Sequence, residues 1–399
     1  MLIKSLSLTN FRCFQRAEVV FSDKLNLLYG GNAQGKTSVL EAIHLVSLLT
    51  SPIASQDREL INFQSLENEI PVGRIVAVIE KNNQTVKIEI RLILESTING
   101  INRIKKEVLI DGVKKRLYDA VGVFNSVLFL PQMMRIIEDG PDERRKYLDQ
   151  MLSQAYPGYV KALNMYQKAI VKRNALLKRL FEIGGDHNQL DYWDQLISEK
   201  GAFIIRHRGM VLTELDKLSC LKHREVTSGN EEVSIRYAPS LSSEQSIGRQ
   251  LQFDTDENLF TNQSEDCIRE QFLSKLYNVR KEEIQRGFTT IGPHRDNILF
   301  YLNGVDIGKY GSRGQIRSVV MSLKFAEKEW LEDKTQDKPV LLLDETLAEL
   351  DISRRDGLID LLNNHSQVVL TTADQEILPE RLISRCSVWK VDNHKIVGE

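Results

Sequence analysis

Residues 24–48, KLNLLYGGNAQGKTSVLEAIHLVSL, decide the fold, because an apolar strand, a glycine-rich loop and a helix-period segment follow one another directly. The loop satisfies the pattern G-x-x-x-x-G-K-[ST] in the context that makes it a phosphate-binding loop. Its Lys36 is predicted to reach the β- and γ-phosphates and Thr37 to ligate Mg²⁺. A glycine-rich turn without a ligand is the alternative interpretation. The predicted nucleotide-binding residues are Gly30, Gly31, Asn32, Ala33, Gln34, Gly35, Lys36, Thr37 and Ser38.

A second element, PVLLLDET at residues 339–346, is an apolar run that ends in two acids. The run is typical of a buried parallel strand, which delivers Asp344 and Glu345 at its carboxyl end. Asp344 is the predicted Mg²⁺ ligand beside Thr37, and Glu345 is the predicted base that polarises the attacking water. Together with the loop, this pair predicts an ATPase with ATP and Mg²⁺ as its ligands. A core strand capped by solvated acids is the alternative interpretation of the run.

A third element, YGSRGQIRSVVMSLKFAE at residues 310–327, begins as a turn and continues as an amphipathic helix. Ser312 is the predicted N-cap, and a helix N-terminus favours an anion. A Ser-x-Gly-Gln element that opens a helix before an acidic strand is the signature of the ABC-type ATPase class. Ser312, Gly314 and Gln315 are therefore predicted to close over ATP held by a second copy, in an ATP-dependent homodimer. AELD at 348–351 fits the D-loop of that interface; a capped surface helix is the alternative.

The overall composition narrows the class of protein further. The chain has 399 residues, of which 42% are hydrophobic and 27% charged, and its net charge is −2. Any nucleic-acid binding must therefore come from local basic patches. The four cysteines have no metal-ligand spacing, which is typical of a reducing compartment. No apolar run approaches the roughly 18 residues that span a bilayer, so we predict a cytoplasmic protein without a membrane partner.

The two ends of the chain share α/β character, whereas the middle is mainly helical and highly charged. We predict an α/β fold: an ABC-type P-loop ATPase head formed from both chain ends, with an inserted, mainly helical arm domain. The head comprises residues 1–118, with the P-loop and an antiparallel sheet, and residues 287–399; the arm comprises 119–286. Asn82-Asn83 and Asp111-Gly112 are predicted hairpin turns of the antiparallel sheet.

Two basic clusters are candidates for contact with DNA phosphates. One lies on a predicted hairpin at residues 103–116, and the other on a predicted helix around residues 172–179. A run of charges is also typical of a solvated face, and both interpretations stay open. The predicted DNA-binding residues are Lys105, Lys106, Lys114 and Lys115 on the hairpin, with Lys172, Arg173, Lys178 and Arg179 on the helix.

Several longer motifs resemble those of the RecF family of bacterial recombination mediators, which are relatives of the structural-maintenance-of-chromosomes heads. The resemblance runs nearly from end to end. Beside the three elements above, it rests on LTNFRCF (8–14), GPDERRKYLDQ (140–150), KRNALLK (172–178), YWDQLI (192–197) and TTIGPHRDNI (289–298).

The resemblance implies an ATP-dependent DNA-binding protein of recombinational repair and replication restart, with a weak ATPase stimulated by DNA. Its ATP-induced dimer would bind duplex, gapped or junction DNA. With RecR and RecO as partners, it would help to load RecA onto single-stranded DNA.

The chain departs from the family pattern at three places. Asp344-Glu345 stands where members commonly have Asp-Asp. Thr371 or Thr372 stands where transporters place a switch histidine. Gln132, the predicted catalytic glutamine that senses the γ-phosphate, follows Pro131 where many members have an acidic residue. An ABC-type subunit of a transporter or of a nuclease complex is the alternative function. The helical arm argues against the transporter, and the short segment after the D-loop argues against the nuclease.

Overall fold

The computed structural model describes residues 1–67, 71–96, 102–227, 229, 231–241, 263–347, 359, 362, 367–375 and 378–398. The chain forms two compact units, one made of Met1–Met133 with Glu327–Glu399 and the other of Met134–Ala326. None of the helices in these ranges combines the length and apolar character that crossing a membrane requires. The predicted D-loop at 348–351 lies outside the described residues.

The described strands and α-helices are numbered separately in chain order. The strands are β1 Leu2–Phe11, β2 Phe14–Val20, β3 Leu25–Tyr29, β4 Val72–Lys81, β5 Gln84–Ser96, β6 Asn102–Ile110, β7 Val113–Lys115, β8 Ser126–Phe129, β9 Val233–Ala238, β10 Asn297–Leu302, β11 Val305–Asp306, β12 Val340–Asp344, β13 Val368–Thr372, β14 Cys386–Asp392 and β15 Lys395–Gly398. The helices are α1 Lys36–Leu48, α2 Leu117–Ala120, α3 Arg135–Glu138, α4 Pro141–Ala155, α5 Pro157–Ile183, α6 Asp191–Thr227, α7 Glu265–Arg286, α8 Ile307–Tyr310, α9 Arg313–Thr335 and α10 Glu380–Ile383.

An antiparallel sheet in the first unit has the strand order β2-β1-β4-β5-β6-β7. Along β4, alternate residues are buried, as expected for a sheet with one covered face. Positive φ angles at Asn82 (51°) and Asn83 (60°) close the β4–β5 hairpin, and Asp111 (49°) and Gly112 (79°) close the β6–β7 hairpin. Two successive positive φ angles are what a type I′ turn requires. Both predicted hairpin turns are confirmed.

The second sheet of this unit has the order β15-β14-β3-β13-β12-β8, and its neighbours are parallel except for β15. Every residue of β12 and of β13 is buried, which explains their unbroken apolar sequence. The prediction that 339–346 contains a buried parallel strand is therefore confirmed. Because parallel strands end at the same edge of a sheet, the loop after β3 lies beside the ends of β13 and β12.

In the second unit, α5, α6 and α7 pack side by side, and β9, β10 and β11 form a small antiparallel sheet. The helices enclose an ion-pair cluster around Arg173, whose side chain is 0% exposed. Arg173 donates to Asp194 at 2.7 Å, to Glu283 at 2.6 Å and to Thr289 at 2.9 Å. The prediction that Arg173 contacts DNA is wrong, because its guanidinium faces the helix core and is occupied by two carboxylates.

The two compact units divide the chain differently from the predicted domains. Residues 119–133 belong to the first unit, and residues 287–326 belong to the second. The signature element thus lies in the unit that contains the long helices, and α9 begins in one unit and ends in the other. The boundaries at 118/119 and 286/287 stay a prediction about functional domains.

Candidate nucleotide-binding site

The glycine-rich loop joins β3 to α1, as the pattern predicts. A Cβ atom on Gly30 (φ 154°) would lie 2.1 Å from the carbonyl oxygen of Val391. A Cβ atom on Gly35 (φ 109°) would lie 2.6 Å from Cys13 Sγ. Both approaches are too close for any side chain. The loop can therefore curve tightly at its two ends only because glycine occupies both positions.

Lys36, the first residue of α1, is directed back along the loop. Its ammonium donates to the carbonyl oxygens of Gly30 at 2.8 Å and Gly31 at 3.0 Å, and lies 3.3 Å from Glu345 Oε1. Only 4% of the side chain is exposed, so the cation is held within the curve of the loop. This is where the loop amides and a cation together can bind phosphate oxygens.

Thr37 and Asp344 meet at the neighbouring strand end. Thr37 Oγ1 lies 2.8 Å from Asp344 Oδ2, and Thr371 Oγ1 donates to Asp344 Oδ1 at 2.7 Å. Burial raises the pKa of the Asp344 carboxyl above its ordinary value, and the hydrogen bonds from Thr371 and Thr37 oppose that shift. A hydroxyl and a carboxylate oxygen are ligands that Mg²⁺ accepts, so the predicted metal ligands, Thr37 and Asp344, lie together and fit the ion.

Glu345 follows directly and has a strained backbone, with φ at 48°. Its amide donates to Thr371 Oγ1 at 3.1 Å, so one threonine holds both acids of the pair. The side chain remains 34% exposed beside Lys36. A carboxylate that is fixed through its backbone and still open to water has the geometry that a general base needs. Thr372, the other candidate for the switch position, instead donates to the carbonyl of Asp374 at 2.7 Å.

A cavity of about 430 Å³ opens beside the loop, and all of its lining residues belong to the first unit. It is lined by loop residues and Glu345 and by side chains from elsewhere in that unit. Arg12, one of these side chains, forms a two-pronged ion pair with the buried Glu41, at 2.6 and 2.7 Å. The lining residues are Arg12, Cys13, Ala33, Gly35, Lys36, Thr37, Ser38, Glu59, Ile61, Phe63 and Glu345.

The remaining predicted residues of the first unit have different surroundings. Gly31 and Asn32 are exposed at the tip of the loop. Gln34 Oε1 accepts from the amide of Asn393 at 2.8 Å, which ties the loop to the β14–β15 turn. Gln132 is exposed after β8, at the same edge of the sheet as Asp344, and it does not line the cavity. Its catalytic role stays a prediction.

The signature element of the second unit caps α9 with a reciprocal pair of hydrogen bonds. The Gln315 amide donates to Ser312 Oγ at 3.3 Å, and the Ser312 amide donates to Gln315 Oε1 at 3.1 Å. This is a capping box, and it leaves Ser312 exposed at the helix mouth. Gly314 is half-buried, and its carbonyl accepts from Ser318 Oγ at 3.0 Å.

A chain of hydrogen bonds through Glu231 and His223 supports this capping box. Gln315 Nε2 donates to Glu231 Oε1 at 3.0 Å, and Glu231 Oε2 lies 3.2 Å from His223 Nε2. His223 Nδ1 in turn lies 3.1 Å from Ser322 Oγ, about two turns beyond Gln315 along α9. The signature glutamine is thus connected to the end of α6 through two side chains that the sequence analysis missed. No motif or periodicity marks either of them.

The predicted DNA-binding lysines of the hairpin are mostly neutralised. Lys105 lies 2.9 Å from Glu95, and Lys114 lies 2.6 Å from Glu107. Lys106 is 10% exposed and pairs with Asp57 at 2.9 Å. The prediction for Lys106 is therefore wrong, because its ammonium is held against the protein. Lys115 and, on α5, Lys172 are exposed and keep their predicted role as a hypothesis.

Comparison with known proteins identifies the group to which this site belongs. The chain matches the family described as RecF/RecN/SMC N terminal domain over residues 2–395. It is 34% identical to the DNA replication and repair protein RecF of Roseiflexus castenholzii over 98% of both chains. It is 36% identical to the protein of the same name from Halothermothrix orenii, again over 98% of both chains.

Two solved structures extend the comparison. The recombination mediator protein RecF-ATPrS in the RecFOR pathway superimposes with a TM-score of 0.84 at 30% identity, covering 100% of this chain and 98% of that one. An Smc head bound to the C-terminal winged-helix domain of ScpA shares the fold, with a TM-score of 0.52 at 13% identity and the same coverage. The predicted fold class, an ABC-type ATPase head of mixed α/β structure, is thereby confirmed. Full-length identity above 30%, together with the family match, shows that the chain belongs to the RecF family.

Proposed function

We propose that this chain hydrolyses ATP at the loop between β3 and α1. The observation that carries the proposal is the Thr37 hydroxyl 2.8 Å from the Asp344 carboxylate, at adjoining strand ends and next to Lys36 and Glu345. Structures of relatives with ATP and an ATP analogue support the choice of nucleotide. Steady-state phosphate release, measured with and without DNA and Mg²⁺, tests the proposal of a weak ATPase stimulated by DNA.

The roles of the individual side chains follow from their positions. Thr37 Oγ1 and Asp344 would hold Mg²⁺, which supplies charge neutralisation at the β- and γ-phosphates. Lys36 exchanges its contact with Glu345 for a phosphate oxygen, and this exchange releases the Glu345 carboxylate. Glu345 then accepts a proton from the attacking water. Thr371 keeps both acids in place, and Gln132 would sense the γ-phosphate from the end of β8.

We further propose that the chain acts on DNA in recombinational repair and replication restart, in the cytoplasm. The support is its full-length similarity to proteins named for DNA replication and repair and to a recombination mediator of the RecFOR pathway. The ATP-bound homodimer would bind duplex, gapped or junction DNA and help RecO and RecR to load RecA. Gel shifts with single-stranded, duplex and gapped DNA, with and without ATP, test this function. Family membership argues against the transporter and the nuclease complex.

Dimerisation should depend on Ser312. Replacing Ser312 by Arg places a bulky side chain at the exposed mouth of α9, where we propose that the γ-phosphate of the second copy docks. Sedimentation should show that ATP dimerises the wild-type chain and leaves the variant monomeric. ATP binding by the variant should remain normal, because Lys36 and Thr37 are untouched. A dimer that forms without ATP, or that survives the substitution, would contradict the proposal that Ser312 of one copy contacts the ATP held by the other.

Glu231 should position the signature glutamine. Glu231→Ala removes the acceptor of Gln315 Nε2, so the capping box loses its fixed orientation and the ATP-dependent dimer should weaken roughly tenfold. Glu232→Ala is the matched control, since Glu232 is exposed and contacts Arg224 rather than α9. ATP affinity of the monomer should be normal in both variants.

A complementation assay distinguishes a positioning role of Glu231 from a general loss of structure in the variant. A mixture of Glu231→Ala with Lys36→Ala chains should recover part of the ATPase activity, because their heterodimer contains one intact loop facing one intact signature element. Unchanged dimerisation of Glu231→Ala, or a mixture that stays inactive, would reject the positioning role.

A further inference from the structure

We propose that one face of α5 lies along the backbone of duplex DNA. The inference rests on the proposed DNA-binding function and assigns that function to a surface, which we call the α5 stripe and define as Lys161, Lys168, Lys172 and Arg179. The helix as a whole has a strong excess of positive charge in a chain whose net charge is −2. Its cations are Lys161, Lys168, Lys172, Arg173, Lys178 and Arg179, and its single acid is Glu182.

The stripe is straight and opposite to the buried face. Successive residues of an α-helix are about 100° apart, so the other three members of the stripe lie within roughly 20° of Lys161 around the axis. All four side chains are exposed. Buried residues of α5, such as Tyr166, Arg173 and Leu177, lie about 120–160° away. Packing therefore fixes the orientation of the helix and directs the stripe toward solvent.

The cations of the stripe are not neutralised by the protein. Within the described ranges, Lys161, Lys168 and Lys172 have no carboxylate partner, and Arg179 donates only to the amide oxygen of Gln189 at 3.3 Å. The neighbouring Arg173, by contrast, is paired with two buried acids. The hairpin cations Lys105 and Lys114 are also paired with acids. Cations that have no carboxylate partner can bind DNA phosphates and release their counterions without first breaking an ion pair within the protein.

The dimensions and chemistry favour duplex DNA over single strands. The stripe is about 27 Å long, from the 1.5 Å rise per residue, and spans roughly 8 base pairs at 3.4 Å each. Its cations are separated by seven, four and seven residues, and no aromatic side chain lies among them. Proteins that bind single strands generally use aromatic residues on which the bases stack. A straight row of point charges fits a regular, stiff phosphate backbone.

Two variants with equal charge test the proposal. The stripe variant K161Q/K168Q/K172Q/R179Q and the hairpin variant K105Q/K114Q/K115Q/R116Q each remove four exposed cations. Duplex affinity is measured at several salt concentrations with ATP present. Each lost phosphate contact lowers the slope of log affinity against log salt by roughly 0.9. We expect a slope about two to four units smaller for the stripe variant and at most about 0.9 smaller for the hairpin variant, because Lys105 and Lys114 are already paired with acids and Lys115 alone keeps a predicted contact. Single changes Lys168→Gln and Lys172→Gln should each lower it by about 0.9.

Several results would overturn the assignment. A wild-type slope in the stripe variant would reject it, and an equal loss in both variants would show that only net charge matters. A loss confined to the hairpin variant would move the contact to β6 and β7. An intact DNA slope with loss only of poly-L-glutamate binding would assign the stripe to an acidic protein. If the wild-type chain bound no duplex with ATP, the proposed DNA-binding function itself would fail. ATP-dependent dimerisation should be normal in both variants, which verifies that they are folded.

Discussion

Glu345→Gln is expected to reduce ATP turnover roughly 10²- to 10³-fold while ATP still binds and the dimer persists. The amide keeps the shape of the side chain but cannot accept a proton from water. The backbone contact with Thr371 is unaffected, because it uses the Glu345 amide rather than the side chain. Phosphate release under single-turnover conditions, together with sedimentation in ATP, measures both effects on the same preparation.

Lys36→Ala is the contrasting variant. It removes the cation that would neutralise the β- and γ-phosphates, so ATP affinity and dimerisation should fall together. The two variants therefore separate binding from chemistry. Normal turnover in Glu345→Gln would show that another group is the base. Normal ATP affinity in Lys36→Ala would place the nucleotide elsewhere.

Arg173→Ala should lower the free energy of unfolding by about 3–5 kcal/mol, because it leaves buried acids without their counter-ion. Arg173, Asp194 and Glu283 all have side chains that are 0% exposed. Arg280 still pairs with Asp194 at 2.5 Å, so the uncompensated charge falls mainly on Glu283. Urea denaturation followed by circular dichroism measures the loss.

Lys172→Ala is the matched control for this change, since it removes a positive charge from the adjacent, exposed position. Its free energy of unfolding should stay within about 0.5 kcal/mol of wild type. For DNA affinity the order should be reversed, because only Lys172 is expected to contact DNA. A loss below about 1 kcal/mol for Arg173→Ala would mean that the cluster tolerates an unpaired acid.

The parts of the site that could be predicted are those that are contiguous in sequence. The glycine-rich loop carries its own context of strand and helix, and the unbroken apolar run of β12 indicates burial on both faces. The hairpin turns were equally predictable, because Asn-Asn and Asp-Gly supply two successive positive φ angles. In each case the chemistry that determines the structure lies within a few residues.

The predictions for Arg173 and Lys106 were wrong because they counted positive charges alone. They considered neither the position of a residue around its helix nor an ion-pair partner from a remote part of the chain. Tyr166, Ala169 and Leu177 already form the apolar side of α5, and Arg173 falls on that side at spacings of three and four residues. Helical phase alone therefore predicts that Arg173 is buried while Lys172 is exposed. Lys106 could not be assigned in this way, since its partner Asp57 comes from a remote part of the chain. The contact of Glu231 with Gln315 likewise depends on tertiary structure.

The position of β3 in its sheet has a consequence for how the protein is made. Leu25 pairs with Val368 on one side and with Cys386 on the other, so both neighbours of β3 are synthesised roughly 340 residues or more after it. At about 5–20 residues per second, translation of the intervening stretch of roughly 340 residues takes about 20–70 s. During that interval the ribosome-bound chain exposes an apolar strand with two open edges, a typical target for chaperones. The second unit, Met134–Ala326, is continuous and leaves the ribosome whole before β3 gains either partner.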